Sequence, residues 1–186
     1  MKKTIFALIS ACACLLIFGC FSKPIPKHSI EVYLEAPSRS NSFGLHEKIV
    51  MPVSGVTTYV TRPAVADIDS FTNADLLIQD DPVTGTSTPG VRLRLKDDAW
   101  MKVYQASVAA IGTTKKQGGI KRFFLIIDGH PVGYCKIYTP IRRDNLFFYI
   151  ETNKTLPQDI DAELKDLRFN LNEYILDWRE YKHEEK

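Results

Sequence analysis

The sequence has few cysteines and few histidines, and neither residue type is arranged for chemistry. Three of the four cysteines, Cys12, Cys14 and Cys20, fall within the first twenty residues, so Cys135 is the only thiol in the rest of the chain. A single thiol forms no intramolecular disulfide, which excludes the disulfide-rich secreted scaffolds. The four histidines are scattered without the spacing of zinc ligands. We therefore expect no metal and no cofactor.

The chain also lacks an excess of charge of one sign. It has 24 basic and 22 acidic residues, and removal of Lys2 and Lys3 with an N-terminal signal would leave 22 of each. A neutral chain has no net electrostatic attraction for the nucleic-acid backbone. We therefore expect no nucleic-acid partner.

Long apolar runs are absent except at the N-terminus. Lys2 and Lys3 precede an apolar run over residues 5–18, which only Ser10 interrupts. This run is too short to span a bilayer comfortably as a helix, and its basic flank is typical of a secretory signal. We predict a signal peptide over residues 1–19 and a tether over residues 20–28.

The apolar run ends in the sequence LIFGC at residues 16–20, which resembles the lipobox of bacterial lipoproteins. The resemblance implies that signal peptidase recognises Ile17, Phe18 and Gly19 and that acyl chains such as palmitate are attached to Cys20. Each buried methylene of such chains contributes roughly 0.8 kcal/mol to membrane attachment. The next residue is Phe21 rather than the aspartate of retained inner-membrane lipoproteins, so the resemblance implies an outer-membrane anchor facing the periplasm.

An ordinary signal peptide that happens to contain cysteines is the alternative, because Cys12 and Cys14 also lie in the apolar run. Only Cys20 has the lipobox residues before it. It is also the only one followed by a polar tether containing prolines, at residues 22–26. These two features favour lipidation at Cys20.

Periodicity predicts an α+β domain over residues 29–186. Apolar and polar residues alternate most clearly over 91–95, and Ser54-Gly55 separates two further short strands. Apolar residues at helical spacing predict one helix ending near Gly112 and another beginning near Pro157. The predicted fold is a ferredoxin-like small sheet with two helices packed on one face, preceded by extra N-terminal β-strands. We identify no internal repeat.

Asp128-Gly129 is the strongest turn signal in the chain. A two-residue turn there would pair Ile127 with His130 and Arg122 with Cys135. One strand face would then carry Phe123, Leu125, Val132 and Tyr134, and the other Phe124, Ile126, Cys135 and Ile137. Because two helices cover one face of a small sheet, the second face needs residues 29–61, an oligomer or a partner to cover it. We regard Phe124, Ile126 and Ile137 as a candidate partner-binding face.

No residue combination predicts catalysis. The hairpin would separate His130 from Cys135 by five strand steps, roughly 16 Å, so they form no dyad and a buried structural cysteine is the preferred interpretation. Ser54 lacks the flanking glycines of a nucleophile elbow. The KKQGG sequence at 115–119 is interpreted as a solvated loop, and the Asp pairs at 80–81 and 97–98 as turn and cap residues. We predict that the protein is not an enzyme.

Four segments carry a resemblance to a known family. They are RPAVADI at 62–68, GVRLRL at 90–95, FLIIDGHPV at 124–132 and YTPI at 138–141. With them, residues 58–171 resemble the head of the first periplasmic domain of SecD, a subunit of the bacterial protein-export machinery. The resemblance implies a ferredoxin-like fold and a head that contacts other polypeptides. RRDN at 142–145 departs from the family's glycine-containing turn, and without predicted membrane helices SecD's coupling to proton flow is not implied.

We therefore expect a non-catalytic cell-envelope lipoprotein whose SecD-head-like domain binds protein or peptide or assists an envelope assembly. Its partners would be membrane lipid, through Cys20, and envelope or exported proteins. A structural or surface lipoprotein without a transient ligand is the alternative, followed by a hydrolase. An open sheet face would favour binding and a symmetric interface a structural role, whereas a deep cleft with perturbed titratable groups would favour an enzyme.

Overall fold

The computed structural model describes residues 25–36, 45–117, 119–144 and 146–184. The predicted signal peptide, Cys20 and most of the tether therefore lie outside the described residues. The strands are β1 Ile30–Glu35, β2 His46–Val50, β3 Thr57–Asp67, β4 Phe71–Asp80, β5 Ser87–Leu95, β6 Arg122–Ile127, β7 His130–Lys136 and β8 Leu146–Ile150. The helices are α1 Trp100–Gln117 and α2 Pro157–Glu184, and a 3-10 turn, Ile68–Ser70, joins β3 to β4.

All eight strands form one antiparallel sheet in the order β2-β3-β1-β6-β7-β8-β5-β4. The α+β class is therefore confirmed. The sheet is larger than the small ferredoxin-like sheet that we predicted, because a hairpin extends it at each edge: β2–β3 at one and β4–β5 at the other. Helix α1 also continues past Gly112 to Gln117, since a single glycine weakens a helix without ending it. Residues 115–117, which we predicted to be part of a loop, are therefore helical.

The main core lies between the sheet and the two helices. Val103 of α1 and Leu171 and Ile175 of α2 share one buried cluster with Phe123 and Phe148 of the sheet. Burying each such side chain stabilises the fold by about 1.5–3 kcal/mol. This cluster fixes α2 against the sheet and thereby positions the surfaces described below.

A β-bulge corrects the predicted register of the central hairpin. Ile127 pairs with His130 as predicted, but the register shifts between Leu125 and Ile126, so Arg122 pairs with Lys136 rather than with Cys135. A one-residue shift moves every following side chain to the opposite face. The predicted face assignment is therefore wrong for Cys135 and Ile137, which belong to the main core with Phe123, and for Tyr134, which packs against the opposite cluster with Phe124.

The second face of the sheet carries a smaller buried cluster. It consists of Tyr33, Ile49, Met51, Val60, Phe124 and Ile126. Ile49 and Val60 come from the β2–β3 hairpin and Met51 from the turn that follows β2, so residues within 29–61 cover this part of the face. Phe124 and Ile126 are 0% and 4% exposed, and Ile137 is 3% exposed in the other cluster. The three predicted partner-binding residues thus do not form an exposed face.

The two edge hairpins have the same turn. Residues 52–55 read PVSG and residues 82–85 read PVTG. The glycines have φ values of 66° and 68°, and each donates its N–H to the carbonyl four residues earlier, at Met51 (3.0 Å) or Asp81 (2.8 Å). The same four-residue turn thus occurs twice, 30 residues apart in the chain. The hairpins occupy equivalent places on either side of the central β6–β7 pair.

Candidate functional site

A cleft of about 960 Å³ opens between the β2–β3 turn, the segment after β8 and the first half of α2. Pro52 and Val53 of the turn form one wall, and Val132 and Ile150 contribute apolar surface from β7 and β8. The opposite wall is α2, whose Leu167 also packs against the main core. The cleft therefore has walls from three separate parts of the chain.

Glu151 holds the β2–β3 turn in place at the cleft. Its Oε2 accepts the backbone N–H groups of Val53 (3.2 Å) and Ser54 (3.1 Å), and its Oε1 accepts the Ser54 hydroxyl at 2.7 Å. The turn must cross β1, β6 and β7 to reach this residue after β8. One carboxylate with three donors thus connects the edge hairpin to the opposite half of the sheet.

The segment between β8 and α2 is held by local hydrogen bonds. The Thr152 hydroxyl donates to Glu163 on α2, and the Thr152 Oγ1 accepts the N–H of Lys154 at 3.0 Å. Asp159 lies in the first turn of α2, where a carboxylate interacts favourably with the helix dipole. This segment and the helix therefore form a defined wall.

Acidic side chains dominate the cleft. Its lining contains the four carboxylates of Glu151, Asp159, Glu163 and Asp166 against one basic residue, Lys154, which gives a formal charge of −3. The lining contains neither histidine nor cysteine. A cleft with apolar surface and excess negative charge can bind a segment that carries basic and apolar side chains.

We did not predict this acidic wall from the sequence. A signal for it was present, because Asp159, Glu163 and Asp166 follow one another at four- and three-residue intervals within the predicted last helix. Glu151 had no comparable signal, since its partners in the β2–β3 turn are nearly one hundred residues earlier in the chain.

The β4–β5 turn has a different anchor. Asp81 is 3% exposed, and its carboxylate accepts Lys136 Nζ at 2.5 Å, the Tyr138 hydroxyl at 3.2 Å and the N–H groups of Val83 and Thr84. The hydrogen bond from Lys136, with that of the Val83 amide, lowers the pKa of Asp81 to about 2. The same bond raises the pKa of Lys136. This turn is therefore anchored by a largely buried ion pair.

Cys135 lies in the main core, and burial raises the pKa of its thiol to about 12. A thiol with such a pKa is protonated at neutral pH and is a poor nucleophile. The structure places His130 on the exposed surface at the start of β7.

The Asp128-Gly129 turn joins β6 to β7, with both residues at positive φ (51° and 78°). Asp128 also accepts the Ser29 N–H at 2.7 Å and contacts His28 at 2.8 Å. The His28 ring stacks on Tyr174 of α2, with the ring centroids 3.8 Å apart. The turn thus fixes His28 and Ser29 just before β1, where the predicted tether ends.

Ile17, Phe18, Gly19 and Cys20 lie outside the described residues. Within the part of the chain that the structure describes, no helix is long and apolar enough to cross a membrane. The same residues contain no group of three or more potential metal ligands. Comparisons with protein-family models, with curated proteins and with solved structures found no match to this chain.

Proposed function

We propose that the protein is a non-catalytic cell-envelope lipoprotein whose domain binds a segment of another polypeptide in the acidic cleft. The cleft itself is the observation that carries this proposal, since its apolar walls and its formal charge of −3 suit a segment with basic and apolar side chains. Envelope or exported proteins are the proposed source of such segments.

The sequence supports the setting of this activity. The lipobox-like residues Ile17, Phe18 and Gly19 support lipidation of Cys20, and Phe21 supports an outer-membrane anchor facing the periplasm. The segments that resemble the SecD head, within residues 58–171, support a domain that contacts polypeptides. A ferredoxin-like arrangement within the larger sheet is part of the same proposal.

A titration followed by NMR tests the cleft. The probe is a capped five-residue peptide that alternates lysine and leucine, and a peptide with glutamine in place of lysine is its control. We expect the lysine peptide to perturb the amides of Val53, Lys154 and Leu167. Asp166→Asn should weaken this binding roughly fivefold at low salt, because it removes one carboxylate from the lining.

Asp177→Asn is the matched control, since it removes an exposed carboxylate from the same helix outside the cleft lining. We expect it to leave binding unchanged, and we expect added salt to weaken binding of the lysine peptide. Equal effects of the two substitutions, or perturbations confined to other surfaces, would contradict the proposed site.

Cys20→Ala tests the anchor. Labelled palmitate should be incorporated into the wild-type protein and not into the variant, which should also be lost from the membrane fraction, since the thiol is the proposed attachment point. Equal labelling of both proteins would exclude Cys20 as the lipidated residue.

A further inference from the structure

The outer edge of β4 is the end of the sheet. Among the described residues β4 pairs with β5 alone and stands last in the strand order. Ile78, in the second half of this strand, is 69% exposed, and the neighbouring Leu77 is 37% exposed. An exposed apolar edge strand is a site for pairing with another chain unless the protein covers it.

The register shows which backbone groups face outward. Ile78 lies opposite Pro89, which has no N–H, so this is a pair without mutual hydrogen bonds and the N–H and C=O of Ile78 point away from β5. Residues two positions apart point the same way, so Ala74, Leu76 and Asp80 also present their groups at the outer edge.

Helix α2 covers the first half of this edge. The Asn172 side chain makes the two hydrogen bonds that a neighbouring strand would make to Ala74. Its Oδ1 accepts the Ala74 N–H at 2.8 Å, and its Nδ2 donates to the Ala74 carbonyl at 2.9 Å. Arg179 donates to the carbonyls of Phe71 and Thr72. No described residue bonds in this way to Leu76 or Ile78, so the covered edge changes to an open one after Ala74.

One exposed apolar side chain of α2 continues the open edge. The helix runs antiparallel to β4, because Asn172 bonds to Ala74 whereas Arg179, farther along the helix, bonds to Phe71 and Thr72. Phe169 is 59% exposed and lies three residues before Asn172, so it shares the face of Asn172 and lies toward Leu76 and Ile78.

We propose that the outer edge of β4, from Leu76 to Asp80, binds an extended segment of a partner polypeptide as an added strand. Its backbone would pair with Leu76, Ile78 and Asp80, and apolar side chains at alternate positions would pack on Ile78 and on Phe169 of α2. Five residues span about 17 Å, which matches the open part of the edge. A basic residue at one end would complement the exposed carboxylate of Asp80.

A second copy of this chain fits the edge less well than a single extended segment. Antiparallel self-pairing centred on Ile78 would place Pro82 of one copy opposite Ala74 of the other. Asn172 and α2 already cover Ala74, so the β4–β5 turn of the second copy would meet the helix. A peptide that ends before Ala74 avoids this overlap.

The test uses the full chain and a capped peptide of alternating valine and threonine residues with one terminal lysine. We expect the peptide to slow hydrogen exchange at the amides of Leu76, Ile78 and Asp80. Ile78→Pro should weaken binding about tenfold, because it removes an outward N–H and leaves the bonds to β5 intact. Ile78→Thr keeps the N–H and should weaken binding only about twofold.

A peptide N-methylated at alternate amides keeps the side chains but cannot pair along one edge, so we expect no exchange protection from it. This probe decides the question on the unaltered protein if Ile78→Pro does not fold. Equal binding of the two peptides, protection only at the acidic cleft, or no binding would each overturn the proposal.

Two further outcomes would replace the partner segment with another occupant. A dimer that Ile78→Pro abolishes would assign the edge to a second copy. Protection of Ile78 in the free protein that is lost when residues 1–24 are removed would assign it to the chain's own N-terminal segment. Both outcomes contradict the proposal as stated.

Discussion

The two edge hairpins have one turn sequence and two different anchors. PVSG at 52–55 is held by exposed hydrogen bonds to Glu151, whereas PVTG at 82–85 follows Asp81, which is buried and paired with Lys136. Local sequence therefore decides the turn conformation. A residue distant in the chain decides which part of the sheet the turn is bonded to. The exposed hydrogen bonds to Glu151 border the acidic cleft. The buried ion pair of Asp81 and Lys136 links the other turn to the sheet.

Gly90→Ala should have the largest effect on stability. It also compares equivalent positions in the two hairpins. Gly90 stands five residues after Gly85, and Val60 stands five residues after Gly55. A β-carbon on Gly90 would lie 2.2 Å from the Phe148 carbonyl oxygen and 2.6 Å from the Phe147 ring. We expect the free energy of unfolding to fall by about 3 kcal/mol in urea titrations.

Gly112→Ala is the control for this substitution, since nothing lies within 4 Å of a β-carbon there. It should stabilise α1 by about 0.8 kcal/mol. Similar unfolding midpoints for the two variants would show that the close packing of β5 against β8 at Gly90 is wrong.

Lys136→Met should have the next largest effect on stability. It leaves the buried Asp81 carboxylate without its cation, and an unpaired buried charge is costly. Glu151→Gln is the matched change at the other hairpin, and we expect it to shift the urea midpoint far less because its bonds are exposed. The reverse order would contradict the difference between the two anchors.

The pH dependence of Lys136→Met provides a second readout. The pKa of Asp81 falls from 3.8 to about 2 on folding, so the stability that the ion pair contributes is complete above pH 3.8 and is lost as the pH falls toward 2. The difference in unfolding free energy between wild type and Lys136→Met should therefore shrink over this interval. A constant difference would mean that the carboxylate is not the cause.

Gly55→Ala and Gly85→Ala should have the smallest and most similar effects. Both glycines are in the left-handed region, and nothing lies within 4 Å of either added β-carbon. Each change should cost about 1 kcal/mol, from backbone strain alone. A much larger loss for Gly85→Ala in thermal melts would indicate that the Asp81 anchor also constrains the conformation of its turn.

Features with a local cause could be predicted from the sequence. The Asp128-Gly129 turn depends on two adjacent residues, and the two helices depend on spacing within one segment. The register after that turn was predicted wrongly, because the bulge at Leu125 and Ile126 belongs to the pairing between two strands. The size of the sheet was missed for a similar reason, since the two edge hairpins join the sheet through the pairing of β3 with β1 and of β5 with β8, which are not neighbouring strands in the chain.

The sequence by itself determined the α+β class, the positions of the turns and the lipobox-like segment that ends at Cys20. Only the tertiary structure decided that Phe124 and Ile126 are covered by the β2–β3 hairpin, that Glu151 and α2 form an acidic cleft, and that no other described residue covers the β4 edge beyond Ala74. Turns and periodicity follow from interactions between residues close together in the chain, and those residues can be read directly from the sequence. Clefts, covered faces and open edges follow from which distant segments meet, and that depends on packing the whole chain at once.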